Sequence, residues 1–180
     1  DGIDMDIIYR NMDDFEKMVS SVVMDCVPWN GYTTCMWHNL ITAKIVMDKN
    51  RKLHNLQEKY RVPYPRKLKE NIVSNNLKLL SGMLPSFDKQ ISKAENRGDL
   101  VSVNHRVTEF LASYFDIIFA LNEMTHPGEK RMQSICSAEC RILPDRFDEK
   151  LDELFAGMFR KSISPVISDM VVELQKIAQI

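Results

Sequence analysis

The sequence predicts an all-α protein: a helical bundle of about five to seven helices, with one short strand at its N-terminus. Three observations lead there. Glycine supplies 6 of 180 residues, too few for a turn-dense β fold. From residue 11 onward, apolar residues recur at helical intervals. The first ten residues, DGIDMDIIYR, instead alternate apolar and acidic side chains, as a strand does. A hydrophobic share of 44% against 27% charged gives the chain enough apolar surface for a real core.

The elements follow in order. Ile3, Met5 and Ile7 alternate with Asp4, Asp6 and Ile8, marking a strand over about residues 3–9. No second strand follows, so its backbone groups need a partner outside this chain. Asn11 caps the first helix, whose first turn carries Asp13 and Asp14 at the positive dipole end and whose stripe is Phe15, Met18, Val19 and Val22. Pro28-Trp29-Asn30-Gly31 is a turn. A helix from about Thr33 to Met47 uses Met36, Leu40, Ile41 and Met47, and a short helical piece with Leu53 and Leu56 comes after Asp48-Lys49-Asn50. Pro63 and Pro65 stop and restart the chain. Leu68, Ile72, Val73, Leu77, Leu80 and Leu84 define a helix over 66–84, and Phe87, Ile91 and Ala94 one that ends at Gly98.

Asp99 then caps the most apolar helix, expected over 100–125. Its apolar residues occupy most of the circumference, which makes it the central helix. His126-Pro127-Gly128 terminates it. Two amphipathic helices remain, one with Phe147, Leu151, Leu154, Phe155 and Met158, the other with Ser164 as cap, Pro165 as first residue and Met170, Val171, Leu174 and Ile177 inside.

Several function classes are excluded. The glycines are too scattered for a GxGxxG or Walker loop, and neither HExxH nor GxSxG occurs. Cys26, Cys35, Cys136 and Cys140 form no CxxC; they read as reduced thiols of a cytoplasmic protein. No apolar run reaches 18 residues, so no membrane partner is expected. Net charge is −1, but it is unevenly spread. Residues 1–40 carry seven acids and two bases, while residues 41–80 carry ten bases and three acids, a basic middle able to face phosphates.

Three constellations could carry chemistry. His105, Glu109, Asp116 and Glu123 are spaced by 4, 7 and 7 and share one face of the central helix. They read either as its solvated stripe or as a cleft wall on which Glu109 or Asp116 acts as general base and His105 meets substrate. His126, Glu129, Lys130 and Arg131 cluster past the helix end, as cations at the negative dipole end or as a phosphate contact through Lys130 and Arg131. Asp4 and Asp6 project to one side of the strand, where paired carboxylates suit Mg²⁺.

Three continuous stretches carry a resemblance: WNGYTTCMWHNLITAKIVMDKNRKLHNLQ (29–57), YPRKLKENIVSNNLKLLSGMLPSF (64–87) and GDLVSVNHRVTEFLASYFDIIFALNEMTHPGEKRM (98–132). They resemble an uncharacterised helical family that follows a nucleotidyltransferase domain of the DNA-polymerase-β superfamily, similar to kanamycin nucleotidyltransferase. The resemblance implies that residues 1–10 are the last strand of an upstream nucleotidyltransferase domain and residues 11–180 a helical C-terminal domain. It implies Asp6 as the third metal-binding carboxylate, with Asp4 as second choice. Mg²⁺ and an NTP would be the parent's cofactors, and the reaction would move a nucleoside monophosphate onto a small-molecule or macromolecular hydroxyl. The Gly-Ser…Asp-x-Asp element of such enzymes does not occur here, so the chain alone is expected to be inactive. The partners implied are the upstream domain, the acceptor, and a second copy paired through the N-terminal strand. The alternative is a non-catalytic helical interaction module.

Overall fold

The computed structural model describes residues 2–82, 85–160 and 162–179. It is all-helical. Among the described residues there are nine α-helices, more than the five to seven expected, and no strand. The helices are α1 (Met12–Val23), α2 (Cys35–Thr42), α3 (Lys52–Tyr60), α4 (Arg66–Leu80), α5 (Phe87–Asn96), α6 (Leu100–Leu121), α7 (Met132–Glu139), α8 (Phe147–Gly157) and α9 (Ser164–Ile177). Leu84 lies outside the described residues.

α6 is the axis of the bundle, packed mainly against α4 and α5. From Ala112 to Leu121 every residue is buried, so this half touches protein on all sides. Phe110, Ile117 and Ile118 are sealed in the core with Leu68, Ile72, Leu80 and Ile91 from α4 and α5, while Leu111 is only half-buried. Tyr114, Phe115 and Phe147 form an aromatic cluster that ties α8 to α6. α9 packs on α5 and α8, while α2 packs on both α1 and α3. No helix among the described residues is long and apolar enough to cross a membrane.

Local capping explains where helices start and stop. The Asn11 side chain accepts from the N–H groups of Asp13 and Asp14, and Asp99 accepts from Ser102 N, as their positions suggest. α2 ends at Thr42 rather than near Met47 because the Gln57 amide donates to the carbonyls of Leu40 and Ala43, both at 2.8 Å. α6 ends at Leu121 rather than residue 125: Asn122 caps it by donating to Ile118 O, and Glu123 turns into the left-handed region. α7 is a helix that the apolar pattern of its eight residues does not announce.

The expected strand over 3–9 is corrected. Residues 2–10 form an arm without regular structure, its apolar side chains out in solvent; Ile3 is 82% and Tyr9 92% exposed. The alternation is there, but a strand exists only by pairing, and no neighbouring strand occurs among the described residues.

Candidate functional site

The segment between α1 and α2 crosses α6, and the crossing organises everything around it. Gly31 lies so close to α6 that a Cβ there would come within 2.8 Å of Ala112, and its φ is +86°. Only glycine meets both demands without strain. One turn further along, Asp116 receives the segment: Thr33 N donates to Oδ1 at 3.0 Å and Thr33 Oγ1 to Oδ2 at 2.6 Å. Asn76 of α4 completes the joint, donating to Asp116 Oδ2 and Trp29 O and accepting from Gly31 N. Asp116, Thr33 and Asn76 are all buried.

Burial pushes the Asp116 carboxyl up to about 7, against the pull of its three donors, which favour the charged form. The four-residue polar row is therefore divided. Asp116 is closed off from solvent under the crossing segment. Glu109 lies beyond the crossing, half-buried, where it accepts from Arg106 and stands 3.7 Å from the exposed His105 imidazole. Glu123 is past the end of the helix and pairs with Lys69 at 2.7 Å. Spacing told which residues share a face; it could not tell that a distant segment would cover one turn of that face and leave another open.

The 126–131 turn packs against the same crossing. His126 N donates to Thr34 Oγ1 at 2.7 Å, and its ring lies between Tyr32 and Phe119. The ring is buried, and burial lowers its pKa to about 3, so it is neutral. It accepts from Gly128 N through Nδ1, which leaves the proton on a buried Nε2 without a partner. His126 is thus a core residue and not one of the cations expected past the helix end. Lys130 and Arg131 are exposed, with no carboxylate within 4 Å among the described residues, and Arg131 adopts a left-handed conformation just before α7.

Asp4 and Asp6 ride on the exposed arm. Among the described residues no three His, Cys, Asp or Glu side chains converge as a metal would need. The arm leaves the bundle at α1, with the Arg10 guanidinium 5.8 Å from the centre of the Phe15 ring. Burial pushes the Cys35 thiol up, and the nearby Arg10 guanidinium partly offsets this. Cys35 Sγ is in turn the atom a Cβ at Gly128 would meet, at 3.7 Å.

Sequence reasoning missed Thr33 and Asn76, the partners of Asp116. The readable signal was Asn76 itself, an amide in the buried stripe of α4 next to Ile72 and Val73, which has to find partners. A groove of about 310 Å³ beside the crossing, lined by Trp37, His38, Tyr64, Glu123, Met124 and Thr125 among others, was not foreseen either.

No curated protein and no solved structure matches this chain. A family model described as "Domain of unknown function (DUF4037)" matches residues 29–132, a span that runs from the crossing segment through α6 to the first residue of α7. That span is more than half of the chain, so the chain belongs to the DUF4037 family.

Proposed function

We propose that this chain is the acceptor-side helical domain of a nucleotidyltransferase-like protein, which moves a nucleoside monophosphate from an NTP to a hydroxyl acceptor in a reducing, cytoplasmic setting. The observation that carries the reading is a shared side. The arm bearing Asp4 and Asp6 leaves the bundle at Arg10, whose guanidinium lies over the Phe15 ring and acts electrostatically on the Cys35 thiol, and Cys35 adjoins the turn that presents Lys130 and Arg131. An upstream domain that takes the arm as its last strand would bring its metal-bound NTP to that side. There Asp6 would supply the third carboxylate and Lys130 and Arg131 would meet phosphate. Of the two general-base candidates, Glu109 keeps access to solvent, while Asp116 serves as a joint.

The test is turnover of the intact parent with Mg²⁺ and labelled NTPs. Asp6→Asn keeps size and removes charge; it should lower the rate by about 10²–10³, the usual cost of one electrostatic contact to a transition state. Asp4→Asn should cost much less, and the present chain alone should transfer nothing. Crippling by Asp4→Asn with Asp6→Asn near wild type would move the motif by one strand period. Full activity in both variants would sink the reading. A second reading, the non-catalytic interaction module, draws on the enclosure of Asp116 and the pairing of Glu109 with Arg106. It wins if the parent incorporates no nucleotide.

A further inference from the structure

Three sulfur-bearing side chains gather beside the end of α6. Cys136 and Cys140 are one helical turn apart, Cys140 being the residue that ends α7. Side chains at that spacing share a face, which sets the two thiols side by side. Cys140 Sγ in turn lies 3.8 Å from Met124 Sδ. Met124 belongs to the connection between α6 and α7, so its approach is a tertiary fact and not a consequence of helical spacing. Cys136 is fully buried while Cys140 and Met124 are half-buried, so the cluster has a sealed floor and a reachable mouth. Met124 also lines the 310 Å³ groove, which offers an entry path.

The 3.8 Å between Cys140 Sγ and Met124 Sδ suits two ligands of one ion. Three ligands around a metal in a plane are separated by √3 times the bond length, and with metal–sulfur bonds of about 2.3 Å that is about 4 Å. The donor types narrow the choice. Thiolate and thioether sulfurs together select a soft cation. Zinc prefers four ligands drawn from thiolate, imidazole and carboxylate, and no such set converges among the described residues.

We infer that Cys136, Cys140 and Met124 form a binding site for Cu(I). Each thiol that becomes a thiolate ligand releases one proton to solvent, and the thioether releases none. The site is independent of nucleotidyl transfer and stands or falls without it.

The experiment uses the reduced chain, titrated without oxygen into the coloured Cu(I)–bicinchoninate complex. The chain should withdraw one Cu(I). Cys140→Ser should abolish the withdrawal, and Met124→Leu, which keeps the packing, should weaken it at least tenfold. Cys26→Ser, at a buried thiol after α1, should leave it unchanged. Ag(I) serves as a second probe: with methyl-labelled methionine, the resonance missing from Met124→Leu should be the one that moves at one equivalent. The inference is overturned if the wild-type chain does not compete, if Cys140→Ser competes equally well, if zinc is taken and Cu(I) refused, or if the Met124 methyl stays put while others move.

Discussion

At Asp116 two requirements oppose each other. The carboxylate form satisfies Thr33 and Asn76 best, yet burial favours the protonated form, and the carboxyl is pushed up to about 7. In the unfolded chain it titrates near 3.9. Between about pH 4 and pH 7 the folded state therefore holds a proton that the unfolded state lacks, and stability falls as pH rises through that window. His126 acts in the other direction. Its ring, held to about 3, stays neutral where the unfolded imidazole, near 6.5, is already charged, so its contribution rises with pH up to about 6.5. The two slopes mask one another in the wild type, and a difference curve separates them. The stability of wild type minus that of Asp116→Asn, measured by urea unfolding across pH, should be larger at pH 4 than at pH 8, by on the order of 4 kcal/mol. A flat difference would mean that Asp116 is ionised throughout. Gly31 makes a second test at this scale. Gly31→Ala must displace Ala112 as well as hold a left-handed φ, and should cost at least about 1–3 kcal/mol in the same assay.

Among the elements, α9 shows how a helix can depend on a residue far away in sequence. Its N-cap, Ile163, has no side-chain acceptor, and the Ser164 expected to cap it is already inside the helix. Glu95 at the end of α5 does the capping. Its carboxylate accepts from the backbone N–H groups of Ile163 and Ser164 and from the hydroxyls of Ser162 and Ser164. A carboxylate at a helix N-terminus also meets the positive end of the dipole. Glu95→Ala should cost about 1–2 kcal/mol and raise amide exchange in the first turn of α9 more than elsewhere. Uniform exchange along α9 would show that the apolar contacts of Ile167, Met170 and Leu174 hold it unaided. Asp48 plays a similar part at α3. Partial burial works against its ionisation, but hydrogen bonds from His54 and Leu53 outweigh it and hold the carboxyl down to about 2. Its support of α3 should last from neutral pH to below 4 and vanish as pH falls through about 2.

For the molecule as a whole, α6 is the element that cannot be loosened. Phe110 is completely buried between α6 and its neighbours, so Phe110→Ala should cost about 3–5 kcal/mol in global unfolding. The arm is the opposite case. Its residues are exposed, and its described link to the bundle is Arg10 above the Phe15 ring at 5.8 Å. Removing residues 1–10 should change the unfolding free energy by less than about 1 kcal/mol. A larger loss would show that the arm packs on the bundle in solution. Two arms alone would make a two-stranded ribbon, which is marginal in water.

The amino-acid pattern by itself determined the helical class, the central place of α6, the Asn11 and Asp99 caps and most of the apolar core. These are local matters, in which periodicity and capping act within a few residues of chain. It also placed Asp116 in a polar row along one face of the central helix. What it could not supply was the partner. Thr33 reaches Asp116 across 83 residues, Glu95 reaches Ser164 across 69, and Met124 meets Cys140 from another element. Helical spacing says which side chains share a face, but burial depends on what crosses that face. Asp116 became a joint, His126 a neutral core ring and Glu109 a surface carboxylate only once the 29–34 segment had been laid across α6 by the packing of the whole chain.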